Sequence, residues 1–512
     1  MTITEVAYIY SIKSLYPMNR NLWFLVMLLI VAFPVFTHLT SLPIQFWDES
    51  RLAVNALEMV QSKSWLIPTF GNDPDMWNTK PPLMIWSIAA CMKLFGFTEM
   101  AVRLPSALAA VFTCTLWFWF IVKKWDNPKI ALVTCIILIS SPGYMRLHGV
   151  RTGDYDSLLV LFMNGYLIFY YLFITENKKR YLYIFFLFLT GATMTKGVAG
   201  LLLLPGLFIY TIINRKLFMV LKTSTLYYGL ATFLVVVFGY YLCREHYNPG
   251  YINAVWDNEL GGRYTAVIEN HKGNWTFYTD WLRNNGFLYW FPLLPFGFVT
   301  GMLFFKQEFK SITGYVSILL FSFFIILSGS KTQLQWYDMA AYPMMSMLAA
   351  LFFYMIYELI INAKDVKPLV RKSLILLIGL VLFIPYKNIV EECLNDEYPL
   401  WTEENNWMAV YLRELAENNC RLKYSIFTYD SKQDQNLVFY FNILEKNNRV
   451  VYKRNHEISF GDTIVVFKKN FRDSVEKAYE VVALDSLANV KVYKVNGIKQ
   501  QSSTLDSSTG FQ

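Results

Sequence analysis

The chain has 512 residues, 55% of them hydrophobic, 18% aromatic and only 16% charged, with a mean hydropathy of +0.32 and a formal net charge of +8. A soluble domain carries about 25% charged residues, so there is too little ionic surface to dissolve this chain and most of it must face lipid. The same arithmetic excludes disorder, collagen and a disulfide-stapled scaffold, and the basic excess lies in short loops between apolar runs, which argues against nucleic acid.

A membrane-crossing helix needs about 20 mostly apolar residues, and about eleven stretches meet that criterion. They centre on residues 22–41, 102–122, 129–141, 157–174, 181–195, 198–213, 224–243, 286–305, 312–328, 337–361 and 373–390. No small-residue cleavage site follows Leu22 to Val35, so the first run is expected to remain as an anchor. With the N-terminus inside, every alternate connection is basic. These connections hold Lys123 and Lys124; Lys178, Lys179 and Arg180; Arg215, Lys216 and Lys222; Lys306 and Lys310; and Lys364, Lys367, Arg371 and Lys372. One missed span would invert every later loop, so this regularity sets the register and assigns the basic loops to the cytoplasm. The outer connections are then 42–100, 141–156, a tight turn at 195–197, 244–285, 329–336 and everything from 391 onward.

Composition shifts again near residue 400. Val450-Val451-Tyr452, Thr463 to Phe467 and Val490 to Tyr493 read as short strands, and 404–418 as a helix. The expected organisation is a membrane domain over 1–390 and a small extracytoplasmic α/β domain over 391–512 with a disordered end. The six cysteines are Cys91, Cys114, Cys135, Cys243, Cys393 and Cys420, and none forms a CxxC pair. Cys393 and Cys420 fall on the same outer side, which leaves a disulfide between them open.

The charges near the lipid boundary carry the chemistry. Asp48, Glu49 and Arg51 follow the aromatic pair Phe46-Trp47, and from Leu52 onward apolar residues recur at helical spacing, as in a helix lying on the membrane surface. Taken alone, these acids also suit an ordinary helix start. Lys80-Pro81-Pro82 follows in the same loop; the prolines disfavour a helix through the lysine and hold its ammonium at the interface. The second outer loop offers His148, Arg151, Asp154 and Asp156. Asp154-Tyr155-Asp156 has a DxD form, but it opens a span rather than following a strand, so nucleotide-sugar binding is not expected. Lys196 and Lys331 add cations on the same side. Cations at a lipid boundary suit a phosphate carried on a lipid, and a neighbouring carboxylate suits deprotonation of a hydroxyl. Together they describe group transfer from a lipid-linked phosphate donor. HExxH, P-loop and Ser/His/Asp signatures are absent from the sequence.

Several short motifs, taken in order over residues 20–350, resemble the membrane-embedded GT-C glycosyltransferases of the protein-mannosyltransferase type. The nearest likeness is to their bacterial lipid A aminoarabinose transferase branch. The motifs are Asp48-Glu49-Ser50-Arg51, Trp65-Leu66-Ile67-Pro68, Lys80-Pro81-Pro82-Leu83 with Trp86, Arg103-Leu104-Pro105-Ser106 and Arg151-Thr152-Gly153-Asp154-Tyr155-Asp156. Thr195-Lys196-Gly197, Ser330-Lys331-Thr332, Trp336-Tyr337 and Tyr342-Pro343 complete the series. The resemblance implies Asp48 as catalytic base and Asp156 as a second acidic site. It further implies Lys80 at the donor phosphate and matches Lys331 to a family lysine, with Arg51 in the same acidic-basic motif as Asp48; Arg51, Lys331 and the neighbouring charges Glu49, Arg151 and Asp154 are the candidate substrate contacts. Two departures stand out. Thr79 occupies a place that is often acidic in the aminoarabinose transferases and implicated there in metal binding, so no metal or other cofactor is predicted. Asp338 and Ala340 replace an apolar residue and a proline in the late Tyr-to-Pro stretch.

The expectation is a mostly α-helical polytopic protein of the bacterial plasma membrane. It would be an inverting glycosyltransferase using a polyprenyl-phosphate sugar, with a lipid, glycan or protein acceptor on the extracytoplasmic face. A flippase or transporter of a lipid-linked sugar is the alternative; it calls for ionisable residues at the midplane and inverted repeats. A membrane scaffold displaying the tail domain is a third reading, which leaves the ordered polar motifs without a role.

Overall fold

The computed structural model describes residues 19–146, 148–261, 267, 272–395, 403–417, 426–427, 435–446 and 458–499. The chain divides into two compact units: residues 1–41 with 55–396, and residues 42–54 with 397–512.

In the first unit, helix ends are set by local chemistry. α1 (Arg20–Phe36) starts at Asn19, whose side chain accepts the Asn21 N–H. α2 (Asp48–Ser62) crosses the division between the units, with both acids in its first turn. α3 (Leu83–Phe95) follows directly on the prolines. α4 (Glu99–Trp125) begins where the Thr98 hydroxyl accepts from the Ala101 N–H, and it ends at Asp126, which turns left-handed at φ 51°. α5 (Pro128–Ile139) has Asn127 as its cap and proline in its first turn. α6 (Tyr155–Glu176) is capped by Asp154 and closed by Asn177, again left-handed. Then come α7 (Lys179–Lys196), α8 (Leu204–Ile213), α9 (Ser224–Tyr247), α10 (Phe277–Gly286), α11 (Phe291–Leu303), α12 (Gln307–Ser328), α13 (Tyr342–Asn362) and α14 (Pro368–Leu394).

Among the described residues, seven helical stretches are long and apolar enough to cross a membrane, or eight if the bent pair α10–α11 counts as one span. That is fewer than the about eleven expected from apolar length. The stretches expected at 22–41, 129–141 and 198–213 are the shorter helices α1, α5 and α8, and the one at 286–305 takes part in a pair bent by 116°. Apolar composition alone does not distinguish a straight span from a short or bent helix packed among its neighbours.

Small residues let these helices approach closely. A Cβ on Gly165 of α6 would lie 1.9 Å from the Phe188 ring, and one on Gly191 of α7 would lie 2.5 Å from the Phe162 ring. Each helix thus receives an aromatic ring of the other in a glycine notch. Deep in α6, Asn164 accepts from the Trp117 indole at 3.0 Å and donates to the Ala340 carbonyl at 3.2 Å. Such polar ties hold helices together where lipid supplies no hydrophobic drive.

The second unit has a four-stranded sheet in the order β3-β4-β6-β5. The order follows from β3 (Ile426–Phe427) pairing parallel to β4 (Thr463–Val466), and β4 and β5 (Tyr479–Leu487) pairing antiparallel to β6 (Val490–Ile498); β1 and β2 are the two-residue strands Thr69–Phe70 and Asp73–Pro74 of the first unit. Helices α15 (Glu403–Glu417), α16 (Gln435–Lys446) and α17 (Lys469–Ala478) accompany the sheet. The strands expected at 463–467 and 490–493 are present as β4 and β6, and the helix expected at 404–418 is α15. The strand expected at 450–452 lies outside the described residues, as does Cys420. Residues 42–54 join this unit, and the Ile44 amide donates to the Tyr440 hydroxyl at 2.9 Å.

Candidate active site

In the first unit, the residues before Lys80 form a buried polar frame. The Asn55 amide donates to Asp75 at 3.0 Å and to the Thr69 carbonyl at 2.6 Å. Asp75 accepts from the backbone amides of Trp77 and Asn78, and the Asn78 side chain donates to Asn55 at 2.9 Å. The Tyr155 hydroxyl donates to Asn78 at 2.9 Å, and the Tyr251 hydroxyl to the Thr79 carbonyl at 2.7 Å. Arg244, wholly buried, donates to the Asp75 carbonyl at 2.9 Å while its guanidinium lies 3.9 Å from the Tyr251 ring centre. Apart from the Arg244 Nε, the buried donors and acceptors named here have partners, which holds the loop in place. Pro81 and Pro82 keep it out of helix until Leu83.

The product of this frame is a fixed ammonium. Lys80 is 9% exposed, with its Nζ 5.3 Å from the Tyr155 ring centre and 6.0 Å from that of Trp77. Its ion-pair partner is Glu259, at 3.6 Å, and Glu259 also accepts from the Thr79 hydroxyl at 3.4 Å. An acid therefore reaches the neighbourhood of Thr79 from a distant loop.

The head of α6 holds the second cluster. Asp154 is buried and caps the helix through the Tyr155 N–H at 2.6 Å. Its other oxygen is in short contact with Nδ1 of His148, whose ring stacks on Trp336 with centres 3.7 Å apart. Burial works to raise the Asp154 carboxyl, but the His148 and Lys196 charges and these hydrogen bonds outweigh it and hold the group below the usual carboxylate range. Two residues on, Asp156 accepts from Lys196 Nζ through both oxygens, at 2.6 and 2.7 Å. Gly197, at φ 55°, takes a conformation in which a side chain is strained, and a Cβ there would lie 3.8 Å from Pro81. The Lys196-Gly197 turn and the Lys80-Pro81 loop are thus neighbours. Tyr155 joins the two clusters, since it carries the face under Lys80 and lies between the two aspartates in sequence.

The remaining candidates are placed as follows. In the second unit, Asp48 and Glu49 open α2, and buried Glu49 accepts from the Gln45 amide at 2.6 Å. Arg51 donates its backbone amide to the Trp47 carbonyl. Trp47 stands at φ 73°, a costly conformation for a tryptophan, directly before Asp48. Arg151, in the first unit, donates to the Pro34, Thr37 and His38 carbonyls at 2.8, 2.6 and 3.2 Å, so its guanidinium is engaged with the end of α1. Lys331 is exposed. The first unit thus brings together Lys80, Asp154, Asp156 and Lys196, and gives Arg151 a backbone-binding position.

Sequence reasoning missed Arg244, Glu259, Asn55, Asp75 and Asn78. Arg244 left a signal, as an ionisable residue ending an apolar run. Glu259 left none, because only the fold brings it to Lys80.

Comparison with known proteins bears on the family likeness and the fold. A family model described as dolichyl-phosphate-mannose-protein mannosyltransferase matches residues 79–241, a stretch that contains Lys80, Asp154, Asp156 and Lys196. An uncharacterized protein of Aquifex aeolicus is 25% identical over 362 residues, covering 69% of this chain and 67% of that protein. An undecaprenyl phosphate-alpha-4-amino-4-deoxy-L-arabinose arabinosyl transferase of Aeromonas hydrophila is 25% identical over 254 residues. That match covers 48% of this chain and 45% of the relative, so it spans less than half of the Aeromonas protein's length. Among solved structures, ArnT from Cupriavidus metallidurans bound to undecaprenyl phosphate superposes with a TM-score of 0.67 at 17% identity, over 92% of this chain and 97% of that one. The archaeal oligosaccharyltransferase AglB from Archaeoglobus fulgidus gives 0.52 at 12% identity, over 92% and 74%. The resemblance read from the motifs therefore holds. The fold is that of the GT-C glycosyltransferases, with ArnT among the most similar, and the chain is a multi-pass membrane protein.

Proposed function

We propose that the chain is an inverting glycosyltransferase that takes a sugar from a polyprenyl-phosphate donor and transfers it to a hydroxyl acceptor at the extracytoplasmic face of a bacterial plasma membrane. The acceptor oxygen attacks the anomeric carbon. The bond from that carbon to the phosphate oxygen breaks, its electron pair leaves with the polyprenyl phosphate, and the acceptor proton passes to Asp48. Lys80 stabilises the charge that grows on the departing phosphate. Asp156, Asp154 and Lys196 at the head of α6 shape the site beside it. The run of basic loops supports an extracytoplasmic position for this face, and the similar proteins that act on or bind undecaprenyl phosphate support the donor class.

The observation that carries this reading is the buried frame that immobilises Lys80. Fixing a lysine before the ligand arrives costs conformational freedom, which is recovered as affinity for an anion at that point. Undecaprenyl phosphate is the probe. In the purified full chain, Lys80→Gln should weaken its binding by about ten- to a hundredfold, the loss of one hydrogen bond to a charged group. Unchanged binding would sink the reading.

Glu259 should act in the opposite sense. It occupies the ammonium that the phosphate needs, 3.6 Å away and only partly buried. Glu259→Gln leaves the side-chain shape and removes the competing charge, so undecaprenyl phosphate should bind about two- to fivefold more tightly, as expected for loss of a partly solvated pair. Titration of both proteins with the lipid checks this, and weaker binding by the variant would make Glu259 a contributor to the phosphate site instead of a competitor.

A further inference from the structure

A groove of about 1120 Å³ runs along the outside of the helices at the other end of α6. It is walled by Phe24 of α1, Phe112 and Trp119 of α4, Phe162 and Phe169 of α6 and Phe188 of α7. Its lining is mostly apolar, with Thr115 among the rings and Arg20, Asn21, Lys123 and Asp126 at one end. From Lys123 back to Phe112 the groove follows α4 for about 16 Å at the helical rise. That is about half of the ~30 Å hydrocarbon thickness, the depth of one leaflet.

The charged end is not neutral. Arg20 pairs with Asp126 at 2.5 Å. Beside it, one carboxylate, Glu176, meets three ammonium groups: Lys123 at 3.6 Å, Lys124 at 3.0 Å and Lys178 at 2.9 Å. Three cations on one anion leave two positive charges in excess, and Lys179 and Arg180 follow in sequence. Lys123 and Lys178 keep 29% and 52% of their side chains exposed, so both can turn to an incoming anion. Cationic rim and apolar trough together match one kind of molecule, with a negative head and a hydrocarbon tail of one-leaflet length. The polyprenyl donor does not meet this description here, because its phosphate is placed at Lys80, while α6 carries Asp154 at one end and Glu176 at the other, about 33 Å apart along the axis.

We propose that this groove is a binding site for an anionic diacyl phospholipid of the leaflet opposite the candidate active site, with one acyl chain in the aromatic trough and the phosphate at Lys123 and Lys178. The site is independent of the transferase reading. The test uses the full chain in detergent, with palmitoyl-oleoyl phosphatidylglycerol and palmitoyl-oleoyl phosphatidylcholine as probes. Native mass spectrometry reads retention, and thermal melting reads stabilisation. The wild type should retain phosphatidylglycerol more tightly, and the preference should fall about fivefold for each lysine removed in Lys123→Gln/Lys178→Gln. Leu161→Trp, which fills the trough from its wall, should lose retention of both lipids. Equal retention of the two lipids by the wild type overturns the proposal, as does a preference that survives the lysine changes. Undiminished retention by a folded Leu161→Trp overturns the trough assignment; if that variant does not fold, the lysine pair decides. Glycerophosphoglycerol, the headgroup without tails, should give no melting shift, and a shift equal to the lipid's would likewise overturn the trough.

Discussion

Replacing Lys196 with alanine is expected to lower the unfolding free energy by about 3–5 kcal/mol, the cost of leaving one partner of a buried ion pair alone. Lys196 and Asp156 are 7% and 2% exposed, and the ammonium bonds both carboxylate oxygens. Neither group can recruit bulk water when the other is removed. The chain carries its own control. Lys387 and Glu391 form a pair at 2.7 Å with both side chains about half exposed, and Lys387→Ala should cost no more than about 1 kcal/mol. The distance is nearly the same in both pairs, so solvent access sets the difference. A second comparison separates charge from packing: Asp156→Asn/Lys196→Met should regain most of the loss, because it removes both charges and keeps similar volumes. Unfolding in detergent followed by denaturant titration measures all of these proteins. A Lys196→Ala loss no larger than that of Lys387→Ala would show that the α6 pair is solvated and that the head of α6 is an open surface.

Most of the helices were legible in the sequence because apolar length is a local property. The starts of α4 and α6 could be read to within a few residues. What the sequence could not convey was which apolar runs stay short. α5 and α8 look like spans by composition, but their 12 and 10 residues end at turns set by Ser140 and Asn214. The motif residues Lys80, Asp154, Asp156 and Lys196 were legible as charges at one boundary, and the fold groups them. Their partners were not. Asn55, Asp75 and Asn78 are ordinary polar residues in sequence, and their role lies in a closed set of hydrogen bonds that only the folded loop creates. Arg151 shows the converse. Its charge drew attention as a ligand for substrate, while in the fold it satisfies the last carbonyls of α1, which a helix end leaves without partners. Asp338, noted in the sequence as a departure, is wholly buried in the short helix Gln335–Ala341, with no motif to explain it.

Asp48→Asn should reduce sugar transfer by about 10²–10⁴-fold, the range associated with a positioned general base, while leaving the folded protein intact. Two features of α2 give this expectation. Glu49, the adjacent acid, is buried and engaged with the Gln45 amide, which fixes the first turn of the helix that carries Asp48. Trp47 holds a left-handed backbone just before Asp48, and strain of about 1–3 kcal/mol at such a position persists only where the surroundings enforce it. Asparagine keeps the size of the side chain and its fit at a helix start. It gives up only the favourable interaction of a negative charge with the helix N-terminus, about 0.3–1 kcal/mol. Stability and rate should therefore separate: a small change in melting, a large one in transfer, and undecaprenyl phosphate binding close to that of the wild type. Cells lacking the protein and supplied with either form provide the assay, with mass spectrometry of surface glycolipids and glycoproteins as the readout, normalised to protein level. That readout also identifies the sugar and the acceptor, because whichever species carries the added mass with the wild type must lose it with the variant. Transfer near the wild-type rate would remove Asp48 as the base, and donor binding lost along with the rate would make its carboxylate part of the binding site instead.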